Sequence, residues 1–259
     1  MSRNLLAATS VALVVSATAI LMACSDSPTA DTTRTFSGSK IAVGQGTAWT
    51  EMVVGQANDI QELSLVFTED ALVGLPGTLP ATEFIIPLPS DAPATVFNHV
   101  GVNWQPQGHP PATIYSVPHF DVHFYLVSTQ ERDAMTPADP TFAAKALKTP
   151  DASLVPAGYS PDPMPIPRMG SHWGDGDSHE FHGSAFTATM IYGFYDAKMI
   201  FIEPMMAKSF IESKPNFTSA IKTPAKYPKA GRYPTTYGMT HNATAKEYRA
   251  KIGAFVARN

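Results

Sequence analysis

The run His119-Phe-Asp-Val-His-Phe-Tyr125 sets two imidazoles, a carboxylate and a phenol at every second position, with only Phe and Val between them. On a strand this alternation sends His119, Asp121, His123 and Tyr125 to one face, with ~7 Å between neighbours and ~13 Å between the two histidines. Metal–ligand bonds of ~2 Å bring donor atoms within a few Å of one another, so a single ion cannot take both histidines from a regular strand. Three arrangements avoid the conflict. A bulge can turn one residue out of register, a helix can make the histidines i, i+4 neighbours, or one histidine can bind while the other supports it. Pro118 and the aromatic and β-branched content disfavour the helix. The reading is therefore Asp121 with one or both flanking histidines as ligands. Alternatively, Asp121 accepts from an imidazole N–H and fixes the tautomer of a metal-binding ring. The same alternation also describes an antiparallel strand with one wet face.

A second cluster changes the balance. Seven of the eight histidines fall between His99 and His182, and the stretch Met169 to His182 holds His172, Asp175, Asp177, His179, Glu180 and His182 in a glycine-rich loop ahead of a strand. His172 and Glu180 are the candidates to converge on the strand histidines, whereas His179 and His182 read as exposed. Asp175-Gly-Asp177 lacks the spacing to a terminal Glu that a calcium loop requires. Glu203 closes the apolar run Met199 to Ile202 and needs a cationic or metal partner if its face is buried. Met205 and Met206 beside it admit copper but read as core filler. The candidate metal ligands are thus His119, Asp121, His123, His172, Glu180 and Glu203, with His109 on the rigid turn Gly108-His-Pro-Pro111 and Tyr125 in support. Nitrogen and carboxylate donors suit a divalent transition metal such as zinc, expected in one pocket through His119, His123 and His172 with a carboxylate from Asp121, Glu180 or Glu203. An open coordination position would allow a bound water to act as nucleophile.

The elements that must position these residues read as strands. Ile41 to Val54, Leu63 to Phe67, Phe84 to Pro89, Val100 to Trp104, Ile114 to Ser128, Phe186 to Phe194 and Lys198 to Glu203 carry alternating or continuous apolar patterns bounded by Gly and Pro. Phe84 to Pro89 has proline ends and is expected at a sheet edge. The last two strands are separated by Tyr195-Asp-Ala197, a tight hairpin, and Pro204 is expected to end the second. Thr129 to Pro167 reads as a long proline-rich crossing with one helix at Phe142 to Lys148, a kind of loop that is often functional. A short helix is expected over Met206 to Glu212. Glu247 to Arg258 fits either period and is read as a strand. The expected fold is mainly β, an antiparallel sandwich or barrel with a few short helices, forming a single domain over residues 41–259.

Composition places this domain in a compartment. Arg3, the apolar run Leu5 to Met22 and Leu21-Met-Ala-Cys24 follow the order of a lipoprotein signal peptide over residues 1–23, in which Cys24 carries the lipid. Cys24 is the only cysteine, so no internal disulfide forms and no thiolate is left for the domain. Residues 24–40 read as a flexible tether to a membrane in the bacterial cell envelope, on its periplasmic or extracellular side. A formal charge of −4 gives no footprint for nucleic acid. A homo-oligomer and an unidentified small-molecule ligand are compatible with this reading. No phosphate-binding loop, dinucleotide fingerprint, nucleophile elbow or His-Glu-x-x-His motif is present.

Taken in order, Trp104-Gln-Pro-Gln-Gly-His-Pro-Pro111, Pro118-His-Phe-Asp-Val-His-Phe-Tyr125, Met169-Gly-Ser-His-Trp173 and Tyr192-Gly-Phe-Tyr195 leading to Phe201-Ile-Glu-Pro-Met205 resemble a family of secreted bacterial proteins of unknown function, typified by a Thermus stress-regulated protein. The resemblance runs from about Ile41 to Arg258. It implies that His109, His119, Asp121, His123, His172, Glu180 and Glu203 occupy recurrent polar positions of that family. Gly174 to His179 is richer in Gly and Asp than the family pattern. Because the family has no assigned activity, the resemblance bears on fold and compartment and leaves two functions open: a metal-binding envelope lipoprotein, or a non-enzymatic structural or ligand-binding envelope protein with a metal-free histidine network.

Overall fold

The computed structural model describes residue 1 and residues 33–259. The expected signal peptide over 1–23, the lipidation site Cys24 and most of the tether lie outside the described residues. The strands, numbered along the chain, pair antiparallel throughout. One sheet contains β1 (Arg34–Ser37), β2 (Ile41–Val43), β3 (Gly46–Val54), β4 (Ile60–Thr68), β12 (Asn216–Ala220), β14 (Thr236–Asn242) and β15 (Glu247–Gly253), in the order β1-β3-β4-β15-β14-β12 with β2 also on β3. The other contains β5 (Thr82–Pro87), β6 (His99–Gln105), β7 (His119–Tyr125), β8 (Tyr159–Pro161), β9 (Ser171–Asp175), β10 (Ala188–Tyr195) and β11 (Lys198–Ala207), in the order β5-β6-β7-β11-β10-β9-β8. A small ribbon pairs β13 (Gly231–Tyr233) with β16 (Val256–Arg258).

The two large sheets face each other across a shared apolar layer. Met52, Leu63, Leu65 and Ile252 from the first meet Val100, Val102, Phe120, Val122, Phe124 and Met206 from the second. Removing side chains of this size from water contributes ~1.5–3 kcal/mol each. Both sheets are open, so among the described residues the architecture is a sandwich and not a closed barrel.

The outer face of the second sheet is also covered. Tyr125, Ile200 and Phe201 pack with Met135, Phe142 and Ala146, and Ile191, Met205 and Ala207 pack with Tyr115 and Phe186. The covering residues come from the turn before β7 and from the crossing between β7 and β10. The crossing carries α1 (Thr129–Asp133), started by a reciprocal cap between Ser128 and Glu131, and α2 (Phe142–Ala146). As a result every residue of β7 is buried, on both faces.

Several expectations change. Arg34–Ser37, read as tether, pairs with β3 as an edge strand. The strand expected over Ile114 to Ser128 is confined to His119–Tyr125, because the segment ahead is a turn in which the Ile114 and Tyr115 N–H groups both donate to the Pro111 carbonyl. The glycine-rich loop ahead of β10 contains β9, so His172 stands on a strand. Pro204 does not end β11. Pairing with β7 runs through Phe201 and Ile202, lapses at Glu203 and Pro204, and resumes at Met205, so the missing N–H falls where the ladder is already open. The helix after it, α3, is accordingly limited to Lys208–Glu212. The β10–β11 hairpin turns on Asp196 and Ala197, both at positive φ, as a two-residue primed turn requires.

Two glycines on the covered face test how tightly it is packed. A Cβ at Gly193 would lie 2.1 Å from the Phe201 ring, which is fully buried, whereas one at Gly174 would meet only Ile191 Cδ1 at 3.5 Å. Gly193→Ala is expected to lower stability to urea by about 1–3 kcal/mol and Gly174→Ala by no more than about 0.5 kcal/mol, a contrast measured by equilibrium unfolding of the two variants.

Candidate metal sites on the covered sheet face

Register fixes which polar residues meet. On β7 the even-numbered Phe120, Val122 and Phe124 point into the layer between the sheets, so His119, Asp121, His123 and Tyr125 share the covered face. Across the β6 ladder they stand beside Gln105, Asn103, Gly101 and His99 respectively. On the other side Met205 pairs with Asp121 and Ala207 with His119, which places Glu203 level with His123. Beyond β11, Gly193 of β10 separates Phe201 from His172 of β9. The absence of a side chain at 193 leaves room for the Phe201 ring, against which the His172 ring tilts.

The result is two groups of three ligands. In the first, His109, His119 and Asp121 bring one ligand atom each within 4.8 Å of the others. His119 Nε2 lies 3.1 Å and His109 Nε2 3.8 Å from Asp121 Oδ1. The backs of all three are already engaged. His119 Nδ1 donates to the Val117 carbonyl at 2.7 Å, His109 Nδ1 donates to the Pro110 carbonyl at 2.7 Å, and Asp121 Oδ2 accepts from Gln105 Nε2 at 2.9 Å. These bonds leave each Nε2 with its lone pair turned to the centre, the arrangement that orients histidines on a metal. His119 Nε2 and Asp121 Oδ1 are buried and have no hydrogen-bond partner, so their 3.1 Å approach is close without the direction of a hydrogen bond.

In the second group, His123, His172 and Glu203 likewise converge within 4.8 Å. His123 Nε2 is 3.5 Å from Glu203 Oε1 and His172 Nε2 is 3.6 Å from Glu203 Oε2. Phe201 holds both rings, edge-on to His123 at 4.7 Å and tilted to His172 at 5.3 Å. Tyr125 stacks on His123 at 5.5 Å, and its hydroxyl donates to the Arg168 carbonyl at 3.3 Å. Both ring nitrogens of His123 and Oε2 of Glu203 are buried without partners.

Burial pushes His123 down to about 3 and His172 down to about 4 against the opposing pull of Asp121, so both rings are neutral near pH 7, the form that binds metal. Burial lowers His109 as well, but the Asp121 carboxylate beside it outweighs this and raises it. Burial and then repulsion by Asp121 hold Glu203 well above the usual carboxylate range. Burial also pushes Asp121 up, but the His119 and His109 imidazoles beside it outweigh this and keep Asp121 well below its ordinary value.

The single pocket expected from His119, His123 and His172 therefore divides in two. The ~13 Å separation along β7 persists, and each histidine finds its own carboxylate. His109, read as a supporting residue, stands with His119 and Asp121 in a group that could hold a metal ion, and the Tyr125 ring stacks on His123. Glu180 is not with either group. The short turn His179–His182 puts its carboxylate beyond Tyr115, whose hydroxyl donates to Oε1 at 2.9 Å, and Oε2 lies 3.3 Å from His179 Nδ1. His182 Nε2 pairs with the Gly176 carbonyl at 3.1 Å. Lys222 Nζ bridges Asp175 and Asp177 at 2.8 and 2.9 Å and so occupies the place a calcium ion would need. Gln105 was not legible as a site residue, because only the β6–β7 register brings it to Asp121.

The two groups of His and carboxylate residues can each hold a metal ion. Residues 62–104 match the family model TTHB210-like, described as hypothetical protein TTHB210, so this segment, from within β4 to the end of β6, is similar to an uncharacterised Thermus-type family. All six residues of the two groups lie outside the matched segment. No curated protein and no solved structure matches the chain.

His99 offers a test that does not involve the ligands. It stacks on Tyr125 at 4.7 Å, and burial, followed by the Arg132 charge, lowers its pKa to about 4. Between pH 6.5 and 4 the unfolded chain binds a proton there that the folded chain refuses, so folding stability falls as pH drops through that window. His99→Phe keeps the stack and removes the titration. Its acid limb, followed by urea unfolding of the metal-free protein from pH 7 to 4, should be shallower by up to about 1.4 kcal/mol per pH unit.

Proposed function

We propose that this protein is a cell-envelope lipoprotein that holds two divalent transition-metal ions, zinc foremost, one at His109, His119 and Asp121 and the other at His123, His172 and Glu203. The observation that carries the reading is the set of buried, partnerless ligand atoms directed at common points while their far sides are hydrogen-bonded or packed. An unpaired buried polar group costs ~1–3 kcal/mol, and several such groups share one sheet face. The rival, a metal-free network, would rest on the imidazole–carboxylate approaches alone, 3.1 Å from His119 Nε2 to Asp121 Oδ1 and 3.5 Å from His123 Nε2 to Glu203 Oε1.

Two imidazoles and one carboxylate form a borderline donor set that zinc accepts readily. The burial of His119, Asp121, His123 and Glu203 favours an ion held by the protein over a site open to a bulky substrate. Each ion would tie an outlying segment to β7: the turn that carries His109 in one case and β9 with His172 in the other. Metal affinity thereby becomes folding stability, about 4 kcal/mol when free metal is a thousandfold above its dissociation constant.

Attachment to a membrane through Cys24 rests on the order of charge, apolar run and cysteine at the N-terminus. No helix among the described residues is long and apolar enough to cross a membrane. Cys24→Ser is expected to move the protein from the membrane fraction to the soluble fraction of fractionated cells, and persistence with the membranes would contradict lipid anchoring.

Elemental analysis of protein carrying no polyhistidine tag tests the metal reading. Two equivalents of zinc per chain are expected, falling to one in Asp121→Ala and in Glu203→Ala and to none in the double variant, with chelator lowering the Tm of the parent. A folded parent that takes up no metal, with a Tm indifferent to zinc and chelator, would overturn it.

A further inference from the structure

We infer that Asn103 supplies a fourth donor, its carboxamide oxygen, to the ion held by His109, His119 and Asp121. The inference rests on the metal reading above and adds to it a residue that makes the two sites chemically different. Asn103 is 5 % exposed and is the direct cross-strand partner of Asp121 on the covered face. Cross-strand partners hold their Cβ atoms ~4.5–5.5 Å apart, so the carboxamide lies alongside the carboxylate. Gln105, two residues on and on the same face of β6, already reaches Asp121 Oδ2 at 2.9 Å, so side chains from this strand do extend to that group.

Asn103 Oδ1 is buried and has no hydrogen-bond partner. Its neighbour on the opposite side, Glu83, cannot serve it, because a carboxylate offers no proton and both of its oxygens are engaged by Arg132 and Arg168. Two partnerless acceptors, Asn103 Oδ1 and Asp121 Oδ1, therefore belong to directly paired residues in an interior where such groups are normally satisfied. A cation satisfies both at once. Zinc sites that only hold the ion use four protein ligands, whereas three leave a position for water or an anion. At the second site, the β6 residue beside His123 is Gly101, which offers no side-chain donor. The first site is then closed by protein and the second keeps one exchangeable position.

Cobalt(II) provides the probe, since its visible spectrum reports coordination and its response to azide reports an exchangeable position. In a His172→Ala background, where the Asp121 site is the one left to bind, Asn103→Ala should weaken cobalt(II) binding at least ~10-fold and make the spectrum respond to azide, which the parent should not. Asn103→Asp, which keeps an oxygen at the same place and adds charge, should bind cobalt(II) at least as tightly as the parent. It decides the matter alone if the alanine variant does not fold. Unchanged affinity and azide response in Asn103→Ala, or weaker binding in Asn103→Asp, as expected if the amide only donates to Asp121, would overturn the inference. A His172→Ala parent that binds no cobalt(II) would instead overturn the metal reading itself.

Discussion

The structure turns on β7 being covered on both faces. A strand whose alternate residues are Phe, Val and Phe seats itself in the layer between two sheets without difficulty. The other face brings two imidazoles, a carboxylate and a phenol with it, and the segments that pack over it remove that face from water. From that point the polar atoms must be matched inside the protein. Most of the surrounding design can be understood as matching their outer sides: carbonyls for the Nδ1 atoms of His109 and His119, Gln105 for the far oxygen of Asp121, and Phe201 and Tyr125 for the planes of the histidine rings. The inner sides are left turned towards each other.

The support for this face reaches well past the ligands. Arg132, almost completely buried, lies over the Tyr125 ring and pairs with Glu83, which in turn engages Arg168. Arg168 returns to the Tyr125 hydroxyl through its carbonyl. This closed circuit links β5, β7, α1 and the end of the long crossing, and it clamps the crossing over the sheet. The residues of the two groups are separated widely in sequence, from His109 to Glu203, so the groups come together only once the sheet has closed around β7.

Much of this was legible in the residues. Alternation in His119–Tyr125 identified the strand and the face, and the ~13 Å between its histidines showed that one ion could take both only if the strand were distorted, yet a single pocket was still the expectation. The flanking proline ends of β5 marked an edge, and Tyr195 to Lys198 marked a hairpin. Partnership was not legible. That His119 goes with His109 and His123 with His172 depends on register and on a glycine at 193 that makes room for the Phe201 ring between them, and neither leaves a trace in local pattern. Glu180 misled because it is close in sequence to His172, yet a short turn sends it behind Tyr115. Pro204 misled because a proline inside a strand normally breaks a ladder, and here the ladder is interrupted at that place already.

The most direct test is anomalous diffraction at the zinc edge from crystals of the protein grown with zinc and without a polyhistidine tag. The account predicts two strong peaks per chain on the covered face of the β5–β8 sheet. One should lie within ~2.0–2.2 Å of ligand atoms of His109, His119 and Asp121, and the other at the same distance from His123, His172 and Glu203. Refined side chains in these positions with no anomalous signal between them, or zinc found only at exposed surface residues, would contradict it.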